Sequence, residues 1–349
     1  MSGIIRVLVV DDSALMRKRI SNILNSDDKI EVVGTARDGD QAFKLVEQLK
    51  PDVVTLDIEL PKMDGITCLG YIMSECPTPV IIITGYVEYK GEHTLKALEF
   101  GAVDFIIKPS GVISLDIENI AQEIISKVKL AATVDVSRMK LKLLPEKKAP
   151  EPALPKVEIK KVVVIAASTG GPKALSEILS KLPKDIQAPI LVVQHMPAGF
   201  TKALAGRLDT ESKIRVKEAE EGDEILAGTA YIAPGDYHMA VIKNEKGNGV
   251  IKLLKTHSEQ GVRPCANVTM RSAAEVYGNR NIGVVLTGMG SDGTEGLKAI
   301  KLYGGRTIAE DPKTAVIFGM PLSAIKAEVV DKTVQLDFMA AEIVRSVQA

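Results

Sequence analysis

Cysteine is scarce in this sequence: Cys68, Cys76 and Cys265 are the only three among 349 residues. They form no CxxC pair and leave one thiol unpaired in any disulfide scheme, which excludes a disulfide framework and points to a reduced compartment. An excess of either charge is also missing. With 44 Lys and Arg against 45 Asp and Glu the formal net charge is −1, so nothing in the balance calls for nucleic acid as a partner. No apolar run approaches the ~20 residues that cross a membrane, so no membrane insertion is expected. The first apolar run, Val7–Val10, stops at Asp11 and has neither a charged lead nor a cleavage site, so it reads as a strand rather than a signal peptide. Together these absences predict a cytoplasmic protein, expected to be a monomer.

What is present is an ordinary globular balance, 46% hydrophobic and 26% charged, on a chain long enough for two domains. Composition changes most sharply between Ala131 and Lys160, where Leu144-Pro-Glu-Lys-Lys-Ala-Pro-Glu-Pro-Ala-Leu-Pro155 mixes four prolines with charges. Proline removes backbone donors and restricts its predecessor, so this stretch predicts an extended tether. The expected division is a domain over 1–130, a linker over 131–158 and a second domain over 159–349.

In the first domain, Val7–Val10, Glu31–Ala36, Val53–Leu56, Val80–Ile83 and Phe105–Ile107 are short, largely apolar runs. They alternate with helical patterns over Ala14–Leu24, Gln41–Leu49, Ile66–Met73, His93–Phe100 and Ile117–Lys129. Five β/α units predict a doubly wound, five-stranded parallel sheet with any site at the carboxyl ends of its strands. The second domain is also α/β. Val162–Ala166, Ile190–Val193 and Ile282–Leu286 predict buried parallel strands, and Tyr231–Ala233, Met239–Lys243 and Val250–Leu254 predict antiparallel ones with a hairpin turn near Gly247 and Gly249. The sequence has no short internal repeat.

Three acids follow strands of the first domain: Asp11 and Asp12 after the first, Asp57 after the third. Thr84 ends the fourth strand and Lys108 follows the fifth. Carboxylates gathered this closely repel one another, and an all-oxygen donor set favours Mg²⁺. A cation, the Lys108 ammonium and the Thr84 hydroxyl could neutralise a phosphoryl group on one carboxylate. The plainer alternative is that Asp12-Ser13 caps the helix beginning near Ala14.

These residues lie in Val9-Val-Asp-Asp-Ser13, Leu56-Asp-Ile-Glu-Leu-Pro-Lys-Met-Asp-Gly65, Ile83-Thr-Gly85 and Asp104-Phe-Ile-Ile-Lys-Pro109. From about Ile5 to Leu130 the chain resembles the receiver domain of two-component response regulators, of flavodoxin-like fold. The resemblance implies that Asp57 is the phosphorylated aspartate and that Asp11, Asp12, Asp57 and the Glu59 carbonyl hold Mg²⁺. It further implies that Thr84 and Lys108 sense the phosphoryl group and that Phe105 is the switch aromatic. The loop from Thr84 to Phe105 is slightly longer than is usual in these domains.

In the second domain, Val162-Val-Val-Ile-Ala-Ala-Ser-Thr-Gly-Gly-Pro-Lys173 predicts a strand, a tight turn carrying Ser168 and a helix start whose free N–H groups could hold an oxyanion. His195 follows a second strand, and Asp292 lies in a glycine-rich loop after a third. Serine, histidine and aspartate at one sheet edge suit nucleophilic acyl transfer. The residues alone leave other readings open. The Gly-rich turn could cradle phosphate, although no GxGxxG favours a dinucleotide. His195 could be structural and Asp292 could cap the helix near Thr294. His93 and His257 read as solvent-facing, and His238 as a turn residue.

Ala167-Ser-Thr-Gly-Gly171, Val193-Gln-His-Met-Pro197, Gly199-Phe-Thr201, Ile232-Ala-Pro-Gly-Asp-Tyr-His238 and Leu286-Thr-Gly-Met-Gly-Ser-Asp-Gly293 are similar to the catalytic domain of the chemotaxis methylesterase (CheB) family. With the receiver ahead of it, the whole chain resembles that family. The chain order Ser, His, Asp also differs from that of α/β-hydrolases. The resemblance implies Ser168 as nucleophile, His195 as base, Asp292 as its orienter, the Met289 N–H in the oxyanion hole and Thr169 supporting the histidine. Ala166 stands where the family commonly has glycine. The implied activity is phosphorylation-regulated hydrolysis of γ-glutamyl methyl esters on chemoreceptor proteins, with deamidation of selected glutamines, through an acyl-enzyme. Methyl-accepting chemotaxis receptors would be the substrate and a chemotaxis histidine kinase the phosphodonor. Mg²⁺ would serve receiver phosphorylation, and the esterase reaction would need no cofactor. The rival readings are a phospho-regulated peptidase or small-molecule esterase, and a catalytically silent receiver protein.

Overall fold

The computed structural model describes residues 3–85, 91–109, 120–136, 159–245 and 247–349. The chain divides into two compact units, Met1–Leu143 and Leu144–Ala349. Most of the expected linker (137–158), the expected start of the fifth helix (117–119) and part of the Thr84–Phe105 loop (86–90) lie outside the described residues.

The first unit runs β1 (Ile5–Val10), α1 (Ala14–Asn25), β2 (Ile30–Ala36), α2 (Gly39–Leu49), β3 (Val53–Leu56), α3 (Gly65–Glu75), β4 (Val80–Gly85), α4 (Gly91–Glu99), β5 (Asp104–Lys108) and α5 (Ala121–Ala131). Its five strands are parallel in the order β2-β1-β3-β4-β5, so β1 and β3 are central neighbours. The apolar runs form strands because both faces of this sheet are covered; all four residues of β3 are buried. Three of its helix starts are set by side-chain caps. Ser13 accepts from Met16 N, Asp38 from Gln41 N, and Asp64 from Ile66 N and Thr67 N.

The second unit runs β6 (Val162–Ala167), α6 (Gly171–Leu179), β7 (Ile190–Gln194), α7 (Phe200–Glu211), β8 (Arg215–Glu218), β9 (Thr229–Ile232), β10 (His238–Lys243) and β11 (Gly249–Leu254). It continues through α8 (Ala266–Tyr277), β12 (Asn281–Val285), α9 (Thr294–Leu302), β13 (Arg306–Glu310), α10 (Met320–Lys326), β14 (Lys332–Val334) and α11 (Leu336–Gln348). Seven parallel strands are ordered β14-β13-β12-β6-β7-β9-β8, and β10 and β11 form a separate antiparallel hairpin.

The strand expected over Tyr231–Ala233 is not antiparallel. As β9 it pairs in parallel with both β7 and β8, and its four residues are all buried. A short apolar run carries no information about direction, and burial between two parallel neighbours decides it. The hairpin packs on α8 through Met239 and Val241, with Thr269 Oγ1 donating to Met239 O at 2.6 Å and Val241 N to Ser272 Oγ at 3.0 Å. Between α8 and the sheet, Val164, Ala166, Val193, Val285, Met270 and Ala274 form one continuous core. That core fixes α8 relative to the carboxyl edge of β6, β7 and β12, where the catalytic candidates lie.

Candidate functional site

In the first unit, β1 and β3 end side by side and bring their acids together. Asp57 N donates to Val10 O at 3.0 Å, and carboxylate oxygens of Asp11, Asp12 and Asp57 lie within 4.8 Å of one another. Asp11 and Asp57 are buried and Asp12 is exposed. Lys108, at the end of β5, reaches back with Nζ 2.6 Å from Asp11 Oδ2 and also pairs with Asp57. Glu59 is exposed, and its N–H donates to Asp57 Oδ1 at 3.2 Å. Thr84 is fully buried, and its hydroxyl has no hydrogen-bond partner among the described residues. Phe105 is buried, with Lys127 Nζ 5.6 Å from its ring centroid. The capping alternative belongs to Ser13 alone, since Asp11 Oδ1 accepts from Ser13 N while Asp12 points to solvent.

Burial pushes the Asp57 carboxyl above its ordinary value; Lys108 pulls it down but does not win, and Asp11 adds to the rise. The Lys108 ammonium is desolvated too, yet Asp57 and Asp11 hold its pKa above the usual value. The site thus holds three carboxylates against one cation, with a buried hydroxyl left over. That donor set, all hard oxygen and short of positive charge, fits Mg²⁺.

In the second unit the edge is built from three adjacent strands. Ser168 follows β6, His195 follows β7, and the loop after β12 carries Thr287–Asp292. Ser168 N donates to Thr287 O at 3.0 Å and His195 N to Ala167 O at 3.0 Å. A side chain at Gly288 would meet Ser168 Cβ at 2.7 Å, so the β12 loop lies directly against the serine. Beneath the turn, Gly170 has φ +79°, and a Cβ at Gly171 would stand 2.0 Å from Gln194 Oε1. The Gln194 amide fills that space and donates to Ser168 O at 2.9 Å and to His195 O at 3.2 Å. Ala166 is fully buried, and its methyl lies 3.2 Å from where a side chain at Gly293 would begin, so the β6 residue packs under the Asp292 loop.

His195 Nε2 lies 2.7 Å from Asp292 Oδ2. Asp292 does not cap its own helix, α9. Its Oδ2 also accepts from Ala266 N at 2.7 Å, and its Oδ1 from Asn267 N at 3.0 Å, Cys265 Sγ at 3.0 Å and Gly293 N at 2.8 Å. It therefore caps α8, and Asn267 returns the favour by accepting from Gly293 N and Gly296 N at the start of α9. Burial would raise the Asp292 pKa, but the His195 bond, the Ala266 N–H and the Cys265 thiol lower it to about 2. The carboxylate is ionised at neutral pH, and its contact with Nε2 leaves His195 Nδ1 as the ring nitrogen available to a serine proton.

Ser168 is half-buried, and its Oγ makes no hydrogen bond among the described residues, a common state before substrate binds. Met289 is 48% exposed and its N–H donates to no partner among the described residues, so it is open to an oxyanion. Thr169 is buried and its carbonyl accepts from Thr287 Oγ1 at 2.9 Å. His238 is no turn residue. It is buried at the start of β10, Nδ1 accepts from Cys265 N at 3.1 Å and Nε2 lies 3.0 Å from His257 O, fixing the entry to α8. His93 and His257 are exposed. Gln194, Cys265 and Asn267 were not singled out from the sequence. Gln194 sits beside His195 in its motif, but the other two reach Asp292 from more than twenty residues away.

A family model described as CheB methylesterase matches residues 163–343, and one described as response regulator receiver domain matches residues 7–117. A protein-glutamate methylesterase/protein-glutamine glutaminase of Pyrococcus abyssi is 50% identical over 349 residues, covering 99% of this chain and 94% of that protein. One of the same description from Thermotoga maritima is 47% identical over 324 residues, covering 93% of each. The crystal structure of the Thermotoga maritima CheB methylesterase catalytic domain superposes with a TM-score of 0.52 at 47% identity, covering 53% of this chain and 97% of that one. No helix among the described residues is long and apolar enough to cross a membrane.

Proposed function

The chain belongs to the CheB methylesterase family, and we propose that it hydrolyses γ-glutamyl methyl esters of chemoreceptor proteins, and deamidates selected glutamines, under control of phosphorylation at Asp57. The observation that carries this reading is the 2.7 Å contact of His195 Nε2 with Asp292, beside a serine held on the adjacent strand end. Ser168 Oγ attacks the ester carbonyl and its proton passes to His195 Nδ1. Asp292 holds the ring and stabilises the imidazolium, while the Met289 N–H receives the developing oxyanion. Collapse breaks the C–O bond, and His195 returns the proton to the departing methoxide, releasing methanol. Water, deprotonated by His195, then cleaves the acyl-enzyme to a glutamate carboxylate. An amide substrate would follow the same path with ammonia leaving. The ester reaction uses no cofactor, and Thr169 is assigned to supporting the histidine.

In the receiver, Asp57 accepts the phosphoryl group. Asp11, Asp12, Asp57 and the Glu59 carbonyl would hold Mg²⁺, which supplies charge neutralisation when bound. Lys108 and the Thr84 hydroxyl, which has no hydrogen-bond partner among the described residues, would take phosphoryl oxygens, with Phe105 the aromatic that responds. The partners are methyl-accepting chemotaxis receptors as substrate and a chemotaxis histidine kinase as phosphodonor, for a cytoplasmic monomer that binds no nucleic acid. The two activities divide at the segment 131–158. Methanol release from methylated receptor, with and without acetyl phosphate and Mg²⁺, tests the whole reading. Turnover should rise with the phosphodonor. Release that ignores the phosphodonor would break the regulatory part, and no release at all would break the esterase assignment.

A further inference from the structure

Behind the catalytic edge lies a buried carboxyl that the acyl-transfer scheme does not use. Glu310 ends β13 and is fully buried. Its Oε2 accepts from Thr287 N at 2.8 Å, and its Oε1 has no hydrogen-bond partner among the described residues. No salt bridge reaches it among the described residues. Thr287 O accepts from Ser168 N at 3.0 Å, and Thr287 Oγ1 donates to Thr169 O at 2.9 Å and accepts from Ile317 N at 2.8 Å. Two residues further along the same loop is Met289. The backbone bond between this loop and the nucleophile, from Ser168 N to Thr287 O, therefore runs through the residue that Glu310 grips, while Gly288 is held separately by Ile317 O, Gly319 N and Met320 N.

We infer that Glu310 is a positioning residue for acyl transfer, holding Thr287 so that the loop keeps Ser168 and the Met289 N–H in register. The inference rests on the esterase reading above. A hydrophobic residue at this position would leave Thr287 N buried without an acceptor, and the loop would have to move to satisfy it. A carboxylate grips an N–H more strongly than a carboxylic acid does. Burial pushes the Glu310 carboxyl up to about 7, against the lowering effects of the Thr287 N–H and the Thr314 hydroxyl, and Asp311 next along the chain adds to the rise. The other groups that meet it, Thr287, Thr314 and Val334, carry no charge, and Arg306 and Lys332 are engaged by Glu342. The loop is accordingly held more firmly above neutrality, once Glu310 ionises, and more loosely below it.

The test is the pH profile of methanol release by the full chain, comparing wild type with Glu310→Gln and Glu310→Leu. Glutamine keeps an acceptor for Thr287 N and cannot titrate; leucine keeps neither. Wild-type log kcat should fall more steeply toward acid than that of Glu310→Gln, because protonation weakens the hold of Glu310 on Thr287 N whereas glutamine cannot change state. Glu310→Gln, a neutral acceptor, should behave like protonated wild type, a few-fold slower above neutrality and without the additional fall toward acid. Glu310→Leu should lose roughly tenfold to a hundredfold in kcat with KM unchanged. If Glu310→Leu fails to fold, the glutamine profile decides alone. A glutamine profile that superimposes on wild type, or a leucine variant with wild-type kcat, overturns the proposal. Ser168→Ala in the same assay separates the two ideas: if it still releases methanol, the esterase reading has failed and not the role of Glu310.

Discussion

Asp57 and Asp292 occupy equivalent places in the two units, each buried at the carboxyl edge of a parallel sheet and each beside a basic side chain. They differ in how well they are satisfied. Asp57 has Lys108 and one N–H, from Glu59, against two neighbouring carboxylates, and its pKa rises. Asp292 collects five donors, including the first two N–H groups of α8, and its pKa falls. The same residue type at the same kind of position is frustrated in one unit and locked in the other. On the proposed roles, an acid that takes on a phosphoryl group benefits from being short of partners, and an acid that only orients an imidazole benefits from staying ionised at working pH.

The largest effect should come from the chemistry that Asp292 serves. Ser168→Ala and His195→Ala should each lose on the order of 10⁶ in turnover, and Asp292→Asn roughly 10⁴, measured as methanol release. An Asp292→Asn enzyme close to wild type would mean that the carboxylate is only a helix cap.

The next contrast is in stability. Asp292→Asn replaces an oxygen that accepts N–H bonds with an NH₂ that cannot, beside donors at the start of α8, and should lower stability by about 2 kcal/mol or more. Asp57→Asn should abolish labelling by acetyl phosphate and Mg²⁺. It also removes one of three crowded charges, so its melting temperature should match or exceed that of wild type. Strong destabilisation by Asp57→Asn, seen in calorimetry, would remove the idea of a frustrated acid.

The sequence showed one half of this comparison better than the other. Asp11, Asp12, Asp57 and Lys108 each lie at or just past the end of a strand, so a parallel sheet brings them together whatever else the chain does. Ser168 and His195 are legible for the same reason. The donors to Asp292 are not, because α8 begins after a hairpin whose packing sets its position, and nothing local to Cys265 or Asn267 announces it. His238 was misread for a related reason: Pro234-Gly-Asp236 signals a turn, while the burial of the next strand's first side chain comes from tertiary packing. The direction of β9 was lost because pairing partners, not composition, determine it. Nothing local to Glu310 marks it, since only the fold puts Thr287 N over it.

The smallest effect tests how far the Asp292 cluster can be thinned. Burial, and then the Asp292 charge, push the Cys265 thiol well above its ordinary range, so it stays protonated and donates. Cys265→Ala should remove one of five donors, cost ~1 kcal/mol of stability and reduce turnover only a few-fold; Cys265→Ser, which still donates, should recover most of both. The pH dependence supplies the sign. With a folded value of about 2 below the ordinary 3.8, Asp292 contributes about 2 kcal/mol that is present above pH 4 and lost as pH falls through 2. Asp57, raised above 3.8, works the other way, favouring the fold in acid and losing that contribution as pH rises through its folded value. The deficit of Cys265→Ala should therefore be full at pH 5 and shrink toward pH 2 in denaturant melts, whereas Asp57→Asn should gain on wild type over the same rise in pH. A Cys265→Ala deficit that stays constant down to pH 2 would show that the thiol matters for packing and not for the charge on Asp292.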